Sequence, residues 1–158
     1  MTDSRYDLPH AHKRAREWLD KYYPTPANEV DVKDAAAHSL HKWRGCMPDV
    51  LKEYGLKIQA HAVLNDKAVI IDNAYNTRVL SLGESTCALC HVHIQRTNCK
   101  KCPLYIVTGN VTCGSDESIY NIAVDTDNIP LLVHALEAAV AYESDGFPLE
   151  VEEIKHGR

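Results

Sequence analysis

Two Cys-x-x-Cys pairs, Cys87/Cys90 and Cys99/Cys102, stand eight residues apart in the stretch CALCHVHIQRTNCKKCP. No other feature constrains the chain as much. Four thiols this close in sequence crosslink, react or hold a metal, and each outcome ties the backbone into a reversal. A Cys-x-x-Cys pair lets two sulfurs reach one ion from a tight turn, and a second pair completes a tetrahedron at sulfur–zinc distances of about 2.3 Å. The eight-residue spacer is long enough to bring the second pair back onto the first. The spacing predicts a zinc centre held by Cys87, Cys90, Cys99 and Cys102.

The compartment decides between metal and disulfide. The opening MTDSRYDLPHAHKRAREW has charges where a signal peptide needs its apolar core, and no window approaches eighteen consecutive apolar residues. A cytoplasmic protein without a membrane span is expected, and clustered thiols in a reducing compartment favour metal or redox roles over structural disulfides. An iron–sulfur cluster also takes four thiolates, and Pro103 after the last cysteine resembles ferredoxin-type segments, but the spacings of those proteins are not met. A redox Cys-x-x-Cys normally stands alone at a helix start after a strand, which two adjacent pairs fit poorly. Zinc is the favoured reading, with cluster and redox roles as its rivals.

Further ligands are at hand. His91 and His93 offer imidazole nitrogens and would share one side of an extended stretch, while Cys113 is near enough in sequence to replace a thiol. With both pairs engaged, the histidines are expected beside the metal or on the surface. Cys46 follows a helix end and reads as a small buried apolar residue.

Charge is distributed unevenly beneath the net value of −5. Residues 87–105 hold Arg96, Lys100 and Lys101 with no acid, whereas residues 114–158 hold ten acids against Lys155 and Arg158. Four thiolates on a divalent ion leave a charge of −2, and the three cations can offset it. The same residues carry the alternative reading, a nucleic-acid-binding module in which they contact phosphate while His91 or Tyr105 stacks on a base. A basic footprint is usually broader than three side chains, so this stands second.

Catalytic patterns are missing from the sequence. A four-thiolate zinc leaves no open position for water, and the deaminase pairing of His-x-Glu with Pro-Cys-x-x-Cys is not met at Thr86-Cys87. HExxH, the P-loop, GxSxG and GxGxxG are also lacking. No residue is assigned a catalytic role, and the chain reads as a non-enzymatic interaction protein.

The 158 residues, 45% apolar and 25% charged, suit one soluble domain over 1–158, with a metal loop at 87–113 and an acidic C-terminal helix and tail at 128–158. Leu8, Ala11, Ala15, Trp18, Leu19 and Tyr22 predict a helix over about residues 9–22, ended by Pro24 and Pro26. Val32, Ala36, Leu40 and Trp43 predict a second over 31–44, stopped by Gly45, with His38 and His41 as ordinary helix histidines. A helical turn over 48–54 should close at Gly55. LKIQAHAVL, KAVIID and TRVLSL read as three strands of a meander, the middle one most buried, with Asp66, Asp72 and the asparagines in turns. LYIVTG looks like another strand, followed by a turn and a short helix. Leu132, Leu136, Ala139 and Val140 then mark a helix from about Asn128 that stops before Asp145. The fold class expected is α+β, helices packed around a small antiparallel sheet with an inserted four-cysteine zinc loop. Trp18, Trp43 and the helical stripes also leave room for a homodimer.

Several pieces between Leu40 and Tyr120 recur together elsewhere. They are His41-Lys42-Trp43, Cys87-Ala88-Leu89-Cys90, Cys99-Lys100-Lys101-Cys102-Pro103-Leu104, Thr108-Gly109, Cys113 and Tyr120. In this arrangement the segment resembles a family of small cysteine-rich proteins encoded by bacteriophages and bacteria. The resemblance implies zinc binding at the paired cysteines, a phage or bacterial cytoplasmic setting, and a part for Cys113 beyond that of a spare thiol. A protein partner or small ligand is the expected target, such as a host enzyme, a defence component or its signalling nucleotide.

Overall fold

Chain breakers set the element boundaries, and apolar spacing sets which faces turn inward. The computed structural model describes residues 13–63, 66–83, 86–94, 102–109 and 118–144. Among these, α1 (Lys13–Tyr22) ends before Pro24, and two 3-10 turns, Ala27–Glu29 and Val32–Asp34, lead into α2 (Ala35–Arg44) and α3 (Pro48–Glu53). The sheet follows as β1 (Leu56–Val63), β2 (Asp66–Asp72) and β3 (Thr77–Gly83), and then come α4 (Ala88–Ile94), α5 (Pro103–Val107), α6 (Ile119–Asp125) and α7 (Ile129–Ser144). The class is α+β, as the sequence implied. The expected start of the first helix and the tail beyond α7 lie outside the described residues.

The sheet is an antiparallel meander in the order β1-β2-β3. Its middle strand is the most enclosed, with Ala68, Val69, Ile70 and Ile71 all buried. Asp72 ends β2 as a turn former, its carboxylate accepting from the Ala74 N–H at 2.9 Å, while Asn76 takes a left-handed φ of 54°. Asp66, expected in the preceding turn, instead opens β2 and pairs with Val63 and Gly83. Tyr120 of α6 fastens the helical side to the sheet by donating its hydroxyl to the Leu82 carbonyl at 3.0 Å.

One apolar cluster joins the layers, drawing Ala15, Trp18 and Leu19 from α1, Leu40 and Trp43 from α2, Ile70 and Leu80 from the sheet, and Leu132 and Leu136 from α7. Helix α2 packs against α1, α4 and α7. Both tryptophans are inside this core, so neither is the exposed face a second copy would need. Among the described residues no helix is long and apolar enough to cross a membrane.

Two expectations are corrected, and the reason for a third is refined. Val32 lies in a 3-10 turn and is exposed, because the α-helix begins only at Ala35 and the stripe starts there. Residues of LYIVTG form α5 rather than a strand: Cys102 takes the extended cap conformation and Pro103 the first helical position, where its missing donor costs nothing. Gly45 does end α2, but with φ of −68°, so left-handed freedom is not what it supplies. It supplies room, since a Cβ there would sit 2.5 Å from Cγ of Tyr22. Gly45→Ala should therefore overpack the α1–α2 contact and lower stability by about 1–3 kcal/mol in urea unfolding. A change within a few tenths would show that the junction yields freely.

His38 and His41 tie α2 to the end of α1. Their Nε2 atoms lie 2.7 Å from the Thr25 carbonyl and 2.6 Å from the Lys21 carbonyl. A carbonyl only accepts, so each Nε2 carries the proton and donates. The structural reading of both histidines agrees with these bonds.

Candidate metal centre

Beyond Gly83 the chain returns to the interior at Thr86, whose hydroxyl donates to the Ser81 carbonyl at 2.7 Å. This bond folds the segment back along β3 and delivers Cys87 to the start of α4. The Cys87 carbonyl accepts from the His91 N–H at 3.1 Å, which is the helix's first backbone bond. Cys102 does the same for α5, its carbonyl accepting from Ile106 N–H at 3.1 Å. Cys87 and Cys102 thus each supply the carbonyl that closes the first turn of the helix that follows. Cys87, Cys90 and Cys102 are all free of disulfides.

The Cys87 sulfur is where several groups meet. Cys90, three residues on, directs its thiol and its backbone N–H to it. Ser39 of α2 places its hydroxyl 3.9 Å from the sulfur. Lys42, one turn further along α2 and only 1% exposed, donates its ammonium to the Thr86 carbonyl at 2.8 Å and to the Thr86 hydroxyl oxygen at 3.2 Å. Together the Cys90 thiol bond, the Lys42 charge, the Cys90 N–H and the Ser39 hydroxyl outweigh the opposing effect of burial. They lower the Cys87 thiol from 9.0 to about 5. The group is held toward thiolate, the form that ligates metals and attacks disulfides.

Cys46 shows the opposite environment. It is fully buried, and desolvation pushes its thiol from 9.0 up to about 12 against a smaller downward pull from Lys42. It is the small apolar core residue that its isolation in sequence suggested. A thiol whose folded value is raised contributes no pH dependence below its unfolded value near 9, and stability is lost as pH climbs from there toward 12. Between pH 8 and 10.5 the wild type should lose about 2 kcal/mol more in urea unfolding than Cys46→Ala. Equal losses in the two proteins would show that Cys46 ionises without penalty.

Other predicted site residues are placed as follows. His91 and His93 lie on a helix, not an extended strand, so they point to different faces; His91 is half-buried and His93 is 6% exposed. The expectation of a shared side is thereby corrected. Tyr105 is half-buried against the core. Cys99, Cys113, Arg96, Lys100 and Lys101 lie outside the described residues. Among the described residues no three histidine, cysteine or carboxylate side chains converge as a metal-ligand group.

Sequence reasoning passed over Ser39 and took Lys42 only as part of the His41-Lys42-Trp43 motif. A signal for Lys42 was present: it is a charge set within a helix whose Ala36, Leu40 and Trp43 are all inward-facing, and such a charge is rarely buried without purpose. Ser39, three residues earlier, gave no comparable signal.

A separate groove of about 340 Å³ is lined in part by Glu29, Asp31, Asp34 and His38. The two 3-10 turns that supply Glu29 and Asp34 pack against α4.

Compared with protein-family models, with curated proteins and with solved structures, the chain matches none.

Proposed function

We propose that the chain is a zinc-stabilised, non-enzymatic interaction module whose Cys87, Cys90, Cys99 and Cys102 form a closed four-thiolate centre. The observation that carries this reading is the placing of the Cys87–Cys90 pair at the start of α4, with Cys90 bonded to the Cys87 sulfur, Ser39 3.9 Å from it and Lys42 fixing the preceding residue. Zinc requires deprotonated sulfur, and a site that lowers its thiols beforehand loses less affinity to proton competition at neutral pH. Cys102, which caps α5 and is in no disulfide, would supply a thiolate from the second pair. Zinc here would pin α4 and α5, and through α4 the turns beside the acidic groove. A groove walled by Glu29, Asp31 and Asp34 repels phosphate, which favours a protein or cationic small ligand over nucleic acid. The setting we propose is the cytoplasm of a bacterium or of a phage-infected cell.

One observation favours a second reading. Cys87 stands at a helix start after a strand with its thiol lowered and Cys90 alongside, an arrangement suited to dithiol–disulfide exchange. In that chemistry the pair would give up two electrons and two protons to an external disulfide as its own sulfur–sulfur bond forms.

Elemental analysis of the purified protein and of Cys99→Ser separates the readings. One zinc per chain, absent from the variant, is the result expected. Protein without metal, carrying a Cys87–Cys90 disulfide that dithiothreitol opens reversibly, would overturn the zinc reading in favour of exchange. Iron with visible absorbance would replace both.

A further inference from the structure

Cys87 precedes α4 and Cys90 lies in its first turn, a spacing that brings two sulfurs within reach of one ion, and the Cys90 thiol bonds the Cys87 sulfur. Among the described residues no third histidine, cysteine or carboxylate joins them. Both cysteines are half-buried and in no disulfide, while Ala88, Leu89 and Val92 beside them are buried in the core. The pair therefore meets solvent over an apolar floor. A cation is supplied from α2. Lys42, only 1% exposed, donates to the carbonyl of Thr86 at 2.8 Å and to its hydroxyl oxygen at 3.2 Å, and its charge acts on the sulfur of the next residue, Cys87. Thr86 is tied in turn to the Ser81 carbonyl at 2.7 Å, so the ammonium is fixed in place as a surface lysine is not.

From this geometry we infer that Cys87 and Cys90 by themselves form a two-coordinate site for copper(I), with Lys42 as its fixed counter-cation. The number of ligands and the charge both select the ion. Structural zinc takes four ligands, whereas copper(I), a soft filled-shell cation that thiolates select, is satisfied by two. Two thiolates around copper(I) carry a net charge of −1, which the ammonium offsets. The same pair around mercury(II) is neutral and gains nothing from the lysine. Binding transfers no electrons: two copper–sulfur bonds form, and the protons the thiols still hold pass to solvent. The inference does not rest on the zinc reading, since it uses neither Cys99 nor Cys102. The two ions would compete for the first pair.

The test titrates copper(I) without oxygen into full-length wild type, Cys99→Ser, Cys87→Ser and Lys42→Met against a chromogenic copper(I) chelator. X-ray absorption of wild type holding one equivalent then counts the sulfurs at the ion. One copper per chain with two sulfur neighbours, kept in Cys99→Ser and lost in Cys87→Ser, is the result expected. Lys42→Met should weaken copper(I) binding by about 10–100-fold, the usual cost of losing a group that supports a metal site from outside its ligands. Its affinity for mercury(II), read by competition with a small thiol, should stay at the wild-type value, whereas loosened packing would weaken both ions. Should Lys42→Met fail to fold, the sulfur count and the two cysteine variants decide. Three or more sulfur neighbours, or copper lost from Cys99→Ser, would overturn the site, and equal weakening of both ions in Lys42→Met would overturn the part given to the lysine. Wild type that takes up copper(I) at two sulfurs but no zinc would sink the zinc reading alone.

Discussion

Trp18→Ala lowers the stability of the folded chain by about 3–5 kcal/mol, the range for removing a large aromatic side chain from a packed interior. Trp18 is wholly buried in the cluster that joins α1 and α2 to the sheet. Its ring lies 5.7 Å from that of Tyr22, and its indole N–H donates to the Gly45 carbonyl at 2.8 Å. The substitution removes apolar contact and also strands that carbonyl inside the α1–α2 junction, so the transfer and hydrogen-bond losses add. For a chain of this size the melting temperature should fall by about 6–20 °C. Thermal unfolding followed by circular dichroism measures it. Trp18→Phe, which keeps most of the ring volume and loses the donor, should fall between. A drop of under about 1 kcal/mol for the alanine variant would mean that α1 contributes little to the core.

The second large effect concerns the metal. Zinc-loaded protein should melt well above the same protein treated with excess chelator. A ligand present at a thousand times its dissociation constant stabilises by about 4 kcal/mol, which corresponds to about 8–16 °C at this chain length. The gain should vanish in Cys87→Ser and Cys99→Ser. Because much of the apolar core, from Trp18 and Leu40 through Ile70 to Leu132 and Leu136, is supplied from outside the cysteine segment, the chelated protein should keep its helical circular dichroism at low temperature. This differs from small zinc fingers, which unfold outright without metal. Identical melting with and without chelator would remove the stabilising role from the centre.

How much of this was legible in the sequence depended on the physical signal at each segment. The meander could be read because alternation, β-branched residues and Asn-rich turns agree within 56–83, and the strands follow that reading closely. The α7 stripe was equally plain. α5 was misread because Tyr105, Ile106 and Val107 favour strands by type, and the deciding fact was positional: Cys102-Pro103 pre-forms a helical first turn. Gly45 was placed correctly for an incomplete reason, since its close approach to Tyr22 depends on a partner 23 residues away. The paired thiols declared themselves by spacing. Ser39 did not, and Lys42 did so only as a charge among inward-facing residues, because the contact of α2 with α4 is set by tertiary packing.

The meander also has two outer rims, since β1 and β3 each pair on one side only among the described residues. Bare strand rims invite addition of further strands and, from there, aggregation. Here β1 carries exposed Lys57 and Gln59, and β3 carries exposed Arg78. Both ladders are also broken by register shifts, at Ala60/Val63 on one side and at Asp66/Ala68 and Ile70/Ile71 on the other. An incoming strand would meet cations and an uneven row of donors and acceptors. Both features work against templated growth of the sheet.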